Sequence, residues 1–294
     1  MYHALTFFYV FLYYSISIGL SFFSSYILNE SEYNFRFPLF IAFFQNILHF
    51  LLSTIIITIL QIKKEKKYSL VCSLSSAIDI GLSTYSLRIV SLAYYTMVKS
   101  SSPIFMLLCG FVFGIEKPCI STFLTIFTIG IGVFLTSLTK IFYFKGFIII
   151  LIASFTAGFR WSFVQYIIHK HQSHVLVTIQ ELSLPISFFL LMFCQYQEGL
   201  TNIISSEFFK RNSININITF LLISGVLSFL LILSEFLVVK RTSVLFLSIS
   251  GIGKELIIIL YSVVKKKIEL TSVNYMGLVI SVIGICMFCR LRKR

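Results

Sequence analysis

Residues 37–62 read FPLFIAFFQNILHFLLSTIIITILQI, a run of 26 residues without a single Asp, Glu, Lys or Arg. A helix that crosses a bilayer needs about 20 consecutive, mostly apolar residues. The run is therefore predicted to be a transmembrane helix. The whole chain of 294 residues shares this character, since it is 57% hydrophobic and 12% charged, whereas an average soluble domain carries about 25% charged residues.

Nine further apolar runs accompany this one along the chain. Together they predict ten transmembrane helices, at approximately 4–27, 37–62, 69–88, 92–114, 118–138, 144–168, 176–196, 216–238, 242–264 and 270–289. The midpoint falls between the fifth and sixth runs. We therefore expect an all-α integral membrane protein with one transmembrane domain, 1–294, built from two inverted five-helix repeats at about 1–140 and 141–294.

The positive charge of the chain indicates a membrane surface rather than a nucleic acid. The net charge is +13, but the basic residues stand in short clusters between the apolar runs and not along one polar face. Such clusters set orientation and contact anionic lipid. The six cysteines lie in or beside apolar runs and are expected to be small buried side chains, so we predict neither a metal site nor a cofactor.

Charge and glycosylation signals give the orientation. With both termini in the cytosol, the cytosolic segments hold twelve Lys and Arg residues against nine on the other face, which follows the positive-inside rule. The two Asn-x-Ser/Thr sequons, at Asn29 and Asn217, then fall on the lumenal face, where glycosylation takes place. Both termini are therefore predicted to be cytosolic.

Ionisable residues inside the apolar runs are the strongest functional signal, because such residues are costly in a membrane and usually functional. Lys99 and Lys254 lie in the fourth helix of their respective halves and are 155 residues apart. In an inverted repeat both would converge near the middle of the membrane, where transporters commonly bind substrate. The other five such residues are Asp79, Arg160, Glu181, Glu235 and Glu255.

The surroundings of both lysines predict irregular, polar stretches. Residues 94–105 read YYTMVKSSSPIF, and Pro103 lacks the amide hydrogen that would bond to the carbonyl of Lys99, so a kink is expected there. The hydroxyls of Ser100, Ser101 and Ser102 can satisfy freed backbone groups or a ligand. Residues 247–255 read LSISGIGKE, in which two glycines allow close approach of a ligand.

Two cations at membrane depth indicate an anionic ligand, and lysine suits phosphate as a point charge. The alternative is that each lysine pairs with an internal carboxylate, for which Glu235 and Glu255 are available. For Arg160 the sequence favours ligand binding and pairing with a carboxylate such as Glu181 about equally. Tyr95 could stack a base, although aromatic residues in membrane helices more often pack or anchor the helix. The candidate substrate-binding residues are Tyr95, Lys99, Ser100, Arg160, Ser250, Gly251, Gly253 and Lys254.

These motifs, in this order, resemble the triose-phosphate and nucleotide-sugar transporters, the solute carrier 35 family of the drug/metabolite transporter superfamily. The resemblance rests on FRFPLF (35–40) with His49, DIGLS (79–83), YTMVKSS (95–101), GFRWSFVQ (158–165), SEF (234–236), RTS (241–243) and SGIGKE (250–255). It runs along nearly the whole chain and looks closest to the subgroup of the GDP-fucose transporter.

The resemblance implies a ten-helix antiporter of the Golgi or endoplasmic reticulum that imports a nucleotide-sugar and exports the nucleoside monophosphate. By position, Lys99 and Lys254 match family lysines that contact the substrate phosphate. Plastid triose-phosphate members have arginine where Glu255 stands, which argues against exchange of a small phosphate ester for inorganic phosphate. The sugar, the base and the oligomeric state stay open, a homodimer being one alternative.

Two other readings remain. The first is a transporter of another phosphorylated metabolite, such as a triose phosphate. The second is a membrane regulator that keeps the fold and has lost transport. An enzyme is not expected, because no metal-binding carboxylates or catalytic nucleophile accompany the two lysines.

Overall fold

The computed structural model is all-helical over the residues that it describes, which are 2–25, 37–63, 69–87, 89–90, 92–99, 101–115, 119–136, 144–170, 172–206, 209, 214–264 and 272–291. Its helices are α1 (Tyr2–Ser25), α2 (Pro38–Ile59), α3 (Ser69–Leu87), α4 (Leu92–Lys99), α5 (Ser102–Val112), α6 (Ile120–Thr136), α7 (Phe144–Lys170), α8 (Val175–Gln197), α9 (Leu200–Ser205), α10 (Ile214–Arg241), α11 (Val244–Val264) and α12 (Ser272–Leu291).

Every predicted apolar run contains helix, but the fourth run is divided into α4 and α5, and the short α9 has no counterpart in the prediction. Within the described residues, five helical segments have the length and hydropathy to cross a membrane: 38–59, 70–87, 144–170, 175–197 and 217–241. The apolar parts of α1, α5, α6, α11 and α12 are shorter. The protein is therefore a helical membrane protein, and the ten-helix inverted repeat stays a prediction.

The second predicted sequon is enclosed in the fold. Asn217 lies within α10 and its side chain is fully buried, so it is not placed to receive a glycan. The first sequon, at Asn29, lies outside the described residues.

The chain divides into two compact units. Unit 1 comprises Met1–Gly81 and Ile167–Thr242, and unit 2 comprises Leu82–Tyr166 and Ser243–Arg294. Each unit thus combines two segments that are far apart in the sequence.

In unit 1, α2 packs against α8 and α10, and polar side chains bridge α2 to α10. The amide of Gln45 donates to the hydroxyl of Ser224 at 2.7 Å, and Nε2 of His49 is 3.0 Å from the hydroxyl of Ser228. Both pairs advance by four residues in the same direction, so the two helices run parallel. Polar pairs of this kind hold membrane helices together because lipid offers no alternative partner.

A buried carboxylate caps the N-terminus of α2. The oxygens of Glu198, which follows α8, accept hydrogen bonds from the backbone amides of Leu39 at 2.9 Å and Phe40 at 3.0 Å. The first amides of a helix have no partner within the helix, and the positive end of the helix dipole favours an anion there. Glu198 is only 5% exposed, so these bonds are shielded from water.

In unit 2, α6 and α12 cross at small residues. A Cβ atom on Gly132 would overlap the hydroxyl and backbone of Ser281, and one on Gly284 would lie 2.6 Å from a side-chain carbon of Ile129. The contacts run in opposite directions along the two helices, so α6 and α12 are antiparallel. Close approach at small residues is the usual way in which membrane helices gain packing contacts.

The helix α7 packs closely on α5, again through a glycine. A Cβ atom on Gly158 would lie 2.6 Å from the Cβ of Phe105 and 2.8 Å from the backbone nitrogen of Met106. One turn later, the hydroxyl of Ser162 donates to the carbonyl of Met106 at 2.8 Å. These contacts fix the start of α5 on α7.

We expect Gly158→Ala to destabilise the protein, because the added methyl meets backbone that cannot move aside without disturbing α5. The cost should be about 1–3 kcal/mol, read as a lower Tm of the purified protein in detergent. Gly19→Ala is the matched control, since a Cβ atom there meets nothing within 4 Å and alanine favours the helix. Equal Tm changes in the two variants would contradict the close α5–α7 contact.

Replacement of Glu198 by alanine should also lower Tm, since it removes both hydrogen bonds from the first turn of α2. A hydrogen bond to a charged group contributes about 1.5–3 kcal/mol. Tyr196→Ala is the control, because the Tyr196 side chain is 89% exposed and lies two residues before Glu198. A Tm of Glu198→Ala that matches the control would show that this carboxylate does not stabilise α2.

Candidate functional site

Lys99 is the last residue of α4, and two other helices hold its ammonium group. The Nζ atom donates to the hydroxyl of Ser83 on α3 at 3.0 Å and to the carbonyl of Ala153 on α7 at 3.3 Å. The side chain is half-buried. Both acceptors are neutral oxygens that orient the ammonium within unit 2.

The helix is interrupted after Lys99, close to Pro103, where the sequence predicts a kink. The carbonyl of Lys99, which loses its usual donor, accepts a hydrogen bond from the hydroxyl of Ser102 at 2.7 Å. The hydroxyl of Ser101 donates to the carbonyl of Val98 at 2.8 Å. The Ser102 hydroxyl thus supplies the donor that Pro103 lacks, as hydrocarbon surroundings require, while the carbonyl of Val98 also accepts from the backbone amide of Ser101 at 3.1 Å. Ser100 lies outside the described residues.

Lys254 lies on α11 and is half-buried. Ser250 is one turn before it and therefore on the same face of the helix. The predicted irregularity at Gly251 and Gly253 was wrong, because α11 runs without interruption from Val244 to Val264. Glycine alone lowers helix stability by about 1 kcal/mol, which packing easily offsets, whereas Pro103 removes a hydrogen bond outright.

The start of α11 is fixed by α7. The side-chain oxygen of Gln165, itself 5% exposed, accepts a hydrogen bond from the backbone amide of Val244 at 2.8 Å. Ser243 caps the same turn by accepting from the amide of Phe246 at 3.2 Å. Since Lys254 follows about three turns later, these two contacts set its height in unit 2.

Both lysines therefore belong to the same compact unit, in which α5, directly after Lys99, packs against α11. Three of the carboxylates predicted at membrane depth, Asp79, Glu181 and Glu235, belong to unit 1. The side chain of Glu255 lies outside the described residues.

Arg160 is half-buried on α7 and stacks on its neighbour, with Cζ 4.7 Å from the ring centre of Trp161. This distance is within the range of a cation–π interaction. Arg160 is seven residues, or two turns, after Ala153, so the two residues share a face of α7 about 10 Å apart along the helix. The arginine thus lies on the same side of α7 as the carbonyl that holds Lys99.

Tyr95 is half-buried and packs against a small core of Tyr94, Val98 and Ile150. Tyr94 is 3% exposed, which favours packing over ligand stacking for that ring. The core joins α4 to α7 one turn before Lys99, so it supports the position of the lysine.

Sequence reasoning missed two residues that shape the fold around the candidate groups. Gln165 carries no charge, and Glu198 stands beside apolar residues at the end of a predicted span, where it looks like an ordinary loop acid. Their hydrogen-bond partners are 79 and 159 residues away in the sequence, and no local sequence pattern predicts contacts at such separations. Within the described part of the chain, no group of three or more His, Cys, Asp or Glu residues could hold a metal ion.

Comparison with curated proteins shows similarity to named transporters. The chain is 31% identical over 231 residues, 74% of its length, to a "Probable sugar phosphate/phosphate translocator" of Arabidopsis thaliana, of which the match covers 53%. It is 25% identical to a candidate nucleotide-sugar transporter of Saccharomyces cerevisiae, over 76% of this chain and 66% of the yeast protein. The chain thus spans between half and two thirds of these two relatives.

A further Arabidopsis protein named as a probable sugar phosphate/phosphate translocator is 24% identical over 95% of the chain and 85% of its own length. One crystal structure shares the fold, with a TM-score of 0.67 and 12% sequence identity over 99% of this chain and 98% of the other. The Triose-phosphate Transporter family model matches residues 4–289. The chain therefore belongs to the Triose-phosphate Transporter family.

Proposed function

We propose that the protein is a secondary transporter of a phosphorylated sugar compound and that Lys99 and Lys254 bind its phosphate groups. The observation that carries the proposal is the position of Lys99, whose ammonium is held by Ser83 and Ala153 at a helix break. Lys254 belongs to the same unit. Broken helices commonly form the substrate sites of transporters, and lysine is an effective phosphate ligand.

The substrate that we favour is a nucleotide-sugar, exchanged for a nucleoside monophosphate across the Golgi or endoplasmic reticulum membrane. The name of the yeast relative supports this class. A diphosphate offers two charged groups for two separate lysines, and Arg160 and Tyr95 are the further candidate ligands for the remaining groups. Ser250, Gly251 and Gly253 lie within one turn of Lys254 and would allow close approach of the substrate.

A second candidate is exchange of a sugar phosphate for inorganic phosphate. The names of the Arabidopsis relatives favour it. Against it stands Glu255, an acid directly after Lys254, which would oppose binding of a small, highly charged ester by repulsion.

Alternating access would follow from two inverted repeats of about 1–140 and 141–294. Two helix pairs support this arrangement. α2 packs against α8 and α6 packs against α12, which pairs predicted span two with span seven and span five with span ten. In a five-plus-five inverted repeat each of these pairs consists of equivalent helices and must be antiparallel. The α2–α8 contacts, from Leu39 with Glu198 to Thr54 with Gln180, and those between α6 and α12 both run in this sense.

Replacement of Lys99 or Lys254 by glutamine should reduce exchange by about 10- to 150-fold, the effect of losing one charge-assisted hydrogen bond of about 1.5–3 kcal/mol. Glutamine can still donate to Ser83 and Ala153, so folding should persist. Lys145→Gln, an exposed lysine at the start of α7, is the matched control for the lost charge. Wild-type exchange by both site variants would exclude the two-lysine site.

The measurement is uptake by liposomes preloaded with GMP, UMP, CMP or inorganic phosphate. Labelled nucleotide-sugars and a labelled triose phosphate are supplied outside. Uptake of a nucleotide-sugar that depends on one internal nucleotide is the expected result, while uptake of triose phosphate driven by internal phosphate would favour the second candidate. A folded protein that exchanges nothing would instead indicate a membrane regulator without transport.

A further inference from the structure

One end of unit 1 is strongly basic and lies where three membrane helices begin or end. α7 ends at Lys170, α8 begins at Val175 and α10 ends at Arg241. We call the residues around these ends the basic end of unit 1: His169, Lys170, Ser173, His174, Lys240 and Arg241. No Asp or Glu occurs in 165–178 or in 236–246, so both segments carry a net positive charge of their own.

A hydrogen bond brings the two basic segments together. Nε2 of His169, on the last turn of α7, is 2.7 Å from the carbonyl of Val239 on α10, and the imidazole must donate because a carbonyl only accepts. The residues that follow this bond on the two helices are Lys170 and Lys240. The contact therefore gathers cationic side chains at one place.

The beginning of α8 is part of the same place. His174 caps this helix by accepting from the backbone amide of Leu176 at 3.3 Å. Partial burial and, second, the nearby charge of Lys240 lower the pKa of His174, the residue that caps α8. The amides and dipole at a helix N-terminus favour a phosphate or similar anion.

Ser173 supplies an independent indication of a ligand. It stands immediately before the cap of α8 and is 8% exposed, and its buried hydroxyl has no hydrogen-bond partner among the described residues. Buried polar groups nearly always have a partner. A phosphate oxygen at this helix start would provide an acceptor for the hydroxyl.

We propose that the basic end of unit 1 binds the phosphate group of an anionic phospholipid. The three helices cross the membrane, so their ends lie at the depth of the lipid headgroups rather than in bulk water. By the charge-based orientation this is the cytosolic leaflet, which carries the anionic lipids. Lys99 and Lys254 do not belong to this unit but to unit 2.

The test is native mass spectrometry of the purified full-length protein with equal amounts of phosphatidylserine and phosphatidylcholine. We expect preferential retention of phosphatidylserine. Lys240→Gln should weaken that retention about five-fold, the equivalent of the ~1 kcal/mol that one basic residue contributes at a lipid surface. Ser173→Ala should weaken it about two- to five-fold through the loss of one hydrogen bond, and it keeps every charge.

Lys145→Gln removes the same charge from the opposite end of α7 and should leave lipid retention unchanged. Equal retention of the two lipids by the wild type would overturn the proposal, as would an equal loss in Lys145→Gln. Displacement of phosphatidylserine by millimolar inorganic phosphate or glycerophosphoserine would also overturn it, since the ligand would then be a soluble phosphate. Exchange activity in liposomes of phosphatidylcholine alone tests the transport proposal independently.

Discussion

Within hydrocarbon, every backbone carbonyl needs a partner from the protein itself, because no water is present to supply one. This constraint decides how the chain can be interrupted at Lys99. Pro103 removes the donor of the Lys99 carbonyl, and the hydroxyl of Ser102 replaces it. The carbonyl of Val98 accepts from both the backbone amide and the hydroxyl of Ser101. The chain can therefore end one helix and begin another here, with a cation at the junction.

α7 contacts the Lys99 side chain, α5 and α11, and these contacts fix the positions of the three segments within unit 2. On this helix, the carbonyl of Ala153 accepts a hydrogen bond from the Lys99 ammonium. Gly158 and Ser162 contact α5. Gln165 accepts a hydrogen bond from the first amide of α11. Each contact lies about one or two turns beyond the last. The relative heights of the two lysine-bearing segments thus follow from the spacing of residues on a single helix.

Local patterns in the sequence predicted the features that depend on local physics. Apolar runs gave the helices to within a few residues, and Pro103 with its serines predicted the break in the fourth span. The irregular stretch predicted from the glycines around Lys254 was wrong, because a glycine weakens a helix without removing a hydrogen bond. The sequence did not identify Glu198 and Gln165 as helix caps, since each accepts a hydrogen bond from an amide that is distant in the sequence and near only in the folded protein. The proposed partnership of Lys99 and Lys254 likewise depends on distant segments, so sequence alone could suggest it only through their matching positions in the two halves and the family resemblance.

The hydrogen bond of Gln45 does not by itself fix the alignment of α10 along α2, and Gly225 contributes to that alignment. Because Gln45 and His49 are spaced like Ser224 and Ser228, α10 could slide by one turn and still pair Gln45 with a serine. In the observed alignment Gly225 lies under Leu48, where a Cβ atom would overlap the leucine. After a one-turn slip, Phe229 would occupy that position with a whole aromatic ring. That slip would also place Ile232 opposite His49 in place of Ser228, so the missing side chain of Gly225 and the histidine pair together select the observed alignment.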